Sequence, residues 1–406
     1  MTLRIGMVAG EPSGDLLAAR VMQGLSARAR ANAGSAGQPG SHPFISFQGI
    51  GGPAMKAQGL DCWHDMAALT VFGYVDALKR LPSLVRTYNN VKSRWLQHSP
   101  DVFVGIDAPD FNLRLEHQLK QSGIPTVHFV GPSIWAWRYS RIHKIRQSVS
   151  HMLVLFPFEE AIYVKEGIPV TYVGHPLADL IPIEPDRTDA RRRLGLDTGA
   201  KVLAVLPGSR SSEIRLLTPR FLQAVQILQR QTPGLQVVVP MVNAQRRQEF
   251  QAILSQYPVD HLEIIDQSTL AGRPAAWDAM EAADAVLVAS GTATLETALF
   301  KRPMVISYVL SPMMRRLMAW KSGQEKPYVP WVGLPNVLLN DFAVPELLQD
   351  DATPEKLAQA CWQALNDPAL AASLADRFRD MHLTLKCDTP RLAAEAIYKV
   401  ATGAAS

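Results

Sequence analysis

Polar residues with the means to do chemistry stand, in this 406-residue chain, at the points where apolar runs stop. Ala285-Val-Leu-Val-Ala is a short, unalternated apolar run, which suits a strand buried on both faces of a parallel sheet. It breaks at Ser290-Gly291-Thr292, after which Leu295, Ala298 and Leu299 recur at helical spacing. Backbone N–H groups at a helix start have no partner inside the helix and sit at the positive end of its dipole, so small residues there let a phosphate approach. Glu296, in the first turns of the same helix, can accept two hydrogen bonds from neighbouring hydroxyls, as a ribose offers them. A capped helix with an acidic residue suited to the dipole accounts for the same residues equally well.

Val102-Phe-Val-Gly-Ile runs straight to Asp107, and Pro109 blocks a simple helical continuation, so Asp107 is expected at the C-terminal end of a strand, where open α/β sheets bind their ligands. The structural alternative is a side chain that caps the next turn. Glu11, Ser13 and Asp15, in Gly10-Glu-Pro-Ser-Gly-Asp15, follow the first strand in the same way; here the local sequence favours a capped turn over substrate contact. Gln48-Gly-Ile-Gly-Gly-Pro53 is a second glycine-rich strand exit, and two such exits in one lobe define a cleft. No DxD, HExxH or CxxC pattern occurs, so neither a metal site nor another cofactor is expected. His128 and His143 lack partners at metal-ligand spacing and read as core or surface residues.

The elements that must position these residues alternate strand and helix from end to end, with further strands expected at 126–130, 152–156, 170–173, 201–206, 237–240, 262–265 and 304–308. Ile181-Pro-Ile-Glu-Pro-Asp-Arg-Thr-Asp-Ala190 reads as a linker, which divides the chain into lobes 1–180 and 181–370, followed by a helical tail 371–406. Thr218-Pro219, Thr353-Pro354 and Thr389-Pro390 each carry the signature of a helix start, and residues 30–42 that of a surface loop. Composition is globular, with 47% hydrophobic and 19% charged residues and no apolar run near the ~18 residues a span requires. The first residues read as a strand rather than a signal peptide, and the reading is of a cytoplasmic protein. A formal net charge of +4 hints at an anionic partner. Residues 66–96, apolar with basic edges, fit ordinary helix packing and an interfacial patch beside an acyl-chain groove equally well. Trp135, Trp137 and Tyr139 alternate with Arg138, Arg141, Lys144 and Arg146, a patch that suits stacked bases, a membrane interface or an anionic headgroup.

Gly10–Asp15, Gly105-Ile-Asp-Ala-Pro-Asp-Phe111, Pro132-Ser-Ile-Trp-Ala-Trp-Arg138, Gly174-His-Pro176, Leu206-Pro-Gly-Ser-Arg210, Val239-Pro-Met-Val-Asn-Ala244 and Ser290–Glu296 stand in the order seen in the lipid-A-disaccharide synthases, and the resemblance covers nearly the whole chain. It implies a GT-B glycosyltransferase: two Rossmann-type lobes whose parallel sheets face a central cleft. The implied reaction joins UDP-2,3-diacylglucosamine to 2,3-diacylglucosamine 1-phosphate, releases UDP and leaves a β-1,6-linked disaccharide. The N-terminal lobe, with Glu11, Ser13 and Asp15, would hold the acceptor and the C-terminal lobe the donor. Arg210 would touch the pyrophosphate and Asn336, in Gly333-Leu-Pro-Asn336, would line the donor side. Asp107 is then the candidate base of an inverting transfer, with no metal and no cofactor. Acylated substrates imply peripheral association with the inner membrane through 66–96, helped by Met313, Met314, Arg315, Arg316 and Trp320, and nucleic acid is not an expected partner. A homodimer is left open. The nearest rival is another GT-B UDP-sugar enzyme, a peptidoglycan-type transferase or an epimerase; a dehydrogenase would need GxGxxG, which neither early glycine cluster supplies.

Overall fold

The computed structural model describes residues 2–35, 45–69, 74–267, 273–311 and 328–403. The stretch from Met313 to Trp320 expected to aid membrane binding lies outside them. The chain divides into two units, Met1–Asp179 with Leu385–Ser406, and Leu180–Thr384.

The first unit is built on seven parallel strands, β1 (Leu3–Ala9), β2 (Ile45–Gly51), β3 (Leu60–Asp65), β4 (Val102–Ile106), β5 (Thr126–Phe129), β6 (His151–Val154) and β7 (Val170–Tyr172), in the order β3-β2-β1-β4-β5-β6-β7. Strands β4 and β5 are buried at every position, as their unalternated apolar sequences require. β3 was not expected: it is an edge strand in which only Leu60 is buried, so no apolar run announces it. Four of the helices between these strands bear on the site: α1 (Pro12–Ser35), α2 (Pro53–Ala57), α3 (Tyr74–Gln97) and α4 (Pro109–Gln121). α1 runs into the stretch expected to be a loop at 30–42, because its alanines are strong helix formers; the rest of that stretch lies outside the described residues.

Segment 371–406 is not a separate tail. The second unit extends to Thr384, and the chain then re-enters the first, where Ala393, Ala394 and Ile397 of the helix Thr389–Thr402 join Leu17, Val21 and Leu25 of α1 in one core. A side chain at Gly24 would meet the Pro390 carbonyl at 2.7 Å, so the two helices approach at backbone distance. Asp179 fastens the start of the returning helix by accepting the N–H groups of Asp388 (2.9 Å) and Thr389 (2.7 Å).

The second unit holds six parallel strands, β8 (Val202–Leu206), β9 (Gln236–Pro240), β10 (Leu262–Ile265), β11 (Ala285–Ala289), β12 (Met304–Tyr308) and the unexpected, three-residue β13 (Glu346–Leu348), in the order β10-β9-β8-β11-β12-β13. Thr218-Pro219 does not open a helix. The helix runs Ser211–Gln231 with Pro219 inside it, and its buried stripe of Ile214, Leu217, Phe221, Leu222, Val225 and Leu228 offsets a proline cost of ~3 kcal/mol. Thr353 does cap its helix, accepting from the N–H of Lys356.

Asp15, in the first turn of α1, is buried and ties the two glycine-rich exits together: Oδ1 accepts the N–H groups of Gly52 (2.8 Å) and Met55 (3.1 Å), and Oδ2 that of Ala54 (2.9 Å). A side chain at Gly52 would meet Oδ2 at 2.5 Å, hence glycine there. Asp15→Asn turns one acceptor into a donor facing N–H groups and should lower stability by ~1–3 kcal/mol. Urea unfolding checks this; a midpoint unchanged from the parent would show that the cap contributes nothing.

Candidate functional site

In both sheets the chain runs outward through two further strands and then returns to the opposite side of the first, so the strand order reverses between β1 and β4 and between β8 and β11. Loops leaving neighbouring strands at such a reversal diverge and open a crevice. Ala9 pairs with Ile106 and Leu206 with Val288, so the turns after these strands lie side by side.

In the first unit these turns carry Glu11 and Asp107, which line one cavity of about 960 Å³. Its remaining wall is mixed: Leu69, Leu81, Leu84, Val85, Tyr88 and Phe111 are apolar, while Asp110 and Arg114 are charged. Tyr88 meets Phe111 edge-on (5.6 Å between centroids) and lies under the Arg114 guanidinium (5.1 Å), and its hydroxyl donates to the Arg114 carbonyl. Leu81 and Val85, on α3, remain 52% and 46% exposed, so the apolar wall continues onto the surface. Asp107 and Ala108 are both left-handed, with φ of 54° and 43°, uncommon for non-glycine residues. Of the other expected residues, Ser13 is exposed on α1, and Asp15 is occupied in its cap.

In the second unit the β8 exit presents Arg210, three-quarters exposed and paired to Glu213 at 3.3 Å; Glu213 also accepts the N–H groups of Ser209 (2.9 Å) and Arg210 (3.0 Å), which fixes the turn. The β11 exit is held where Ser290 donates its N–H to the Ser307 carbonyl (3.0 Å). The helix Thr292–Leu299 then starts on Gly291, at φ 148° and with no side-chain cap, and Gly291 and Thr292 at that start are exposed. Glu296 is partly buried and receives the Trp277 indole N–H at 3.1 Å. Burial raises its carboxyl above the ordinary range, against which the indole works. Trp277 lies 19 residues away, and sequence reading missed it. Asn336 is fully buried and saturated: its amide donates to the Val344 carbonyl and Glu346, both at 2.9 Å, and accepts from the Val344 N–H at 3.0 Å. It clamps the chain before β13.

The aromatic part of the aromatic-basic stretch is packed and half-buried, while Lys144 and Arg146 are exposed. Trp135 packs edge-on against Phe158, Phe158 stacks on Phe156 and Phe156 on His175, while the Tyr139 hydroxyl donates to Glu166 at 2.9 Å and Arg141 pairs with Asp110. His128 is a core residue, but a paired one: its Nδ1 lies 2.8 Å from Oε1 of Glu116, and both side chains are wholly buried. Among the described residues no group of three or more His, Cys, Asp or Glu is placed to hold a metal ion, and no helix is long and apolar enough to cross a membrane.

Two parallel-sheet α/β lobes, each with its polar groups at the reversal, are of the GT-B type. Solved structures share this fold: UDP-GlcNAc 2-epimerase from Neisseria meningitidis bound to UDP-GlcNAc (TM-score 0.58, 10% identity, 99% of this chain and 100% of that one) and WaaG, a glycosyltransferase involved in lipopolysaccharide biosynthesis (0.57, 15%, 97% and 99%). Residues 5–397 match the family model described as lipid-A-disaccharide synthetase. The lipid-A-disaccharide synthase of Bordetella petrii is 69% identical over the whole of both chains, that of Bordetella pertussis 68% over the same span, and that of Aromatoleum aromaticum 49% over 98% of this chain and 96% of its own. The chain belongs to the lipid-A-disaccharide synthase family, UDP-sugar glycosyltransferases that join a UDP-diacylglucosamine to an acceptor in lipid A synthesis.

Two groups at the aromatic stack, Glu159 on the Phe156 N–H and His175 against the Phe156 ring, titrate in opposite senses. Burial raises Glu159 to about 7, opposed by hydrogen bonds that include the Phe156 N–H, and burial lowers His175 to about 4. A buried acid with a raised pKa favours the folded state below its unfolded value near 4.5 and loses that contribution as pH rises to about 7. His175 acts the other way, contributing above 6.5 and losing it as pH falls towards 4. Glu159→Gln should therefore gain stability relative to the parent between pH 5 and pH 8, by ~1–3 kcal/mol. Unfolding at both pH values measures the difference; a constant offset would show that Glu159 titrates like an exposed acid.

Proposed function

We propose that Asp107 is the general base of the transfer and that the two reversals divide the labour, acceptor in the first unit and donor in the second. The observation that carries this reading is the cavity on which Asp107 opens: carboxylates and the Arg114 guanidinium beside an apolar wall match the mixed chemistry of an acylated glucosamine 1-phosphate. The carboxylate takes the proton of the acceptor 6-hydroxyl as that oxygen attacks the anomeric carbon of UDP-2,3-diacylglucosamine. Attack comes from the face opposite UDP, so the configuration inverts; the bond from carbon to the diphosphate oxygen breaks and its electron pair leaves with UDP. Glu11 lines the acceptor cavity with Asp107.

Arg210 and the uncapped helix start at Ser290–Thr292 receive the diphosphate, and Glu296 accepts the ribose hydroxyls. The charge that develops on UDP is thereby met by a guanidinium and by oriented N–H groups. We assign Asp15 and Asn336, whose hydrogen bonds are filled within the protein, to shaping these loops. For the membrane, the exposed Leu81 and Val85, next to exposed Arg86 on α3, supply an apolar surface with a basic edge.

Asp107→Asn keeps the shape and removes the basicity; turnover should fall roughly 10²–10⁴-fold with UDP affinity nearly intact. Turnover within threefold of the parent would move the base elsewhere. Arg210→Ala and Glu296→Ala should each weaken UDP binding by ~2–3 kcal/mol in calorimetry; unchanged affinity in both would relocate the nucleotide. Joint replacement, Leu81→Ser with Val85→Ser, should reduce co-flotation with anionic phospholipid vesicles at low salt, and equal recovery of parent and variant would remove α3 from the membrane contact.

A further inference from the structure

We propose that Asn112 is a positioning residue for Asp107: its side-chain amide locks the left-handed backbone of Asp107 and Ala108 and so holds the Asp107 carboxylate at the cavity. The inference rests on the reading of Asp107 as the base. Two successive left-handed residues that carry a Cβ persist only where their surroundings over-determine them. Asn112, wholly buried in the first turn of α4, supplies that constraint. Its Nδ2 donates to the Asp107 carbonyl at 2.7 Å, with the carbonyls of Ile106 at 3.3 Å and Val8 at 3.5 Å close by, so one amide ties the ends of the two strands that flank the reversal to the elbow itself. From the other side, the Asp107 N–H donates to the Phe129 carbonyl at 2.9 Å.

Asn112 is itself unable to retreat. A side chain at Gly105, beneath it on β4, would meet the Asn112 Cβ at 2.9 Å and Oε1 of Glu116 at 2.2 Å, so α4 lies on the strand at the closest approach glycine permits. One turn further along α4, Glu116 is bound to His128 on β5, the neighbour of Phe129. The buried polar face of α4 therefore holds both strands that frame the elbow. Asn112 touches no reacting atom; it acts through Asp107.

A double-mutant cycle on the full-length chain, with UDP-2,3-diacylglucosamine and 2,3-diacylglucosamine 1-phosphate, tests this. Asn112→Leu, of similar size and without a donor, should lower kcat roughly 10–100-fold while KM for both substrates and the affinity for UDP stay within about twofold. In the Asp107→Asn background the same change should alter kcat less than about twofold, because a residue that works only through Asp107 has nothing left to position. If the leucine variant does not fold, Asn112→Ser, too short to reach the Asp107 carbonyl, is carried through the same cycle. A drop that persists undiminished in the Asp107→Asn background, or a kcat within twofold of the parent in Asn112→Leu alone, overturns the proposal. Full turnover in Asp107→Asn alone is a different result, which removes the base assignment and the positioning role with it.

Discussion

Everything at the two sites depends on where each parallel sheet reverses its strand order. A parallel strand needs a crossover helix to reach its neighbour, and at β1/β4 and β8/β11 the helices leave towards opposite faces. The two helices therefore leave the ends of those strands between them. Glu11 and Asp107 stand at one opening, Arg210 and Ser290–Glu296 at the other, and the two sets of residues occupy equivalent places in sheets of different length. Polar chemistry is thus placed by topology before any side chain is chosen.

That placement creates a problem that the buried polar residues solve. A strand that stops abruptly leaves N–H and C=O groups without ladder partners, and near a core those groups must be satisfied. Asp15 answers for the exit of β2, Glu213 for that of β8, Asn112 for those of β1 and β4, and Asn336 with Glu346 for the approach to β13. Two of these acids sit on glycines: an added Cβ at Gly52 or Gly208 would come within 2.5 Å of a carboxylate oxygen of Asp15 or Glu213. The glycine-rich motifs are therefore shaped as much by the protein's own carboxylates as by any ligand.

This explains what the sequence discloses and what it hides. Strands buried on both faces are legible because burial alone dictates an apolar run, so β4, β8 and β11 were placed correctly, and Asp107 and Ser290 with them. β3 and β13 face solvent for part of their length and leave no such trace. Pro219 misled because propensity is local, whereas the stripe that overrides it is a property of the packed helix. The partners of Asp15 and Asn336 stay hidden for a deeper reason: a carboxylate or amide that satisfies backbone 37 or more residues away, or across a turn of eight, has the same local sequence as one that awaits a substrate. Asn112 and Glu116, four apart among the apolar residues of α4, carried a signal that went unread, since polar residues at that spacing on a buried face must be bonded to something.

What separates scaffold from site is the hydrogen-bonding capacity that remains. Both oxygens of Asp15 are taken by backbone N–H groups, and the amide of Asn336 both donates and accepts. Arg210 spends one contact on Glu213 and is otherwise in solvent. Glu296 lies between these cases: it is partly buried, receives the Trp277 indole, and has its carboxyl raised because that donor does not replace the hydration lost on burial. A carboxylate in that state is stabilised by any further donors that reach it. Two vicinal hydroxyls would supply them in a water-poor setting, where each bond counts for more than in solution, and they would draw the carboxyl back towards its ionised form as they bind.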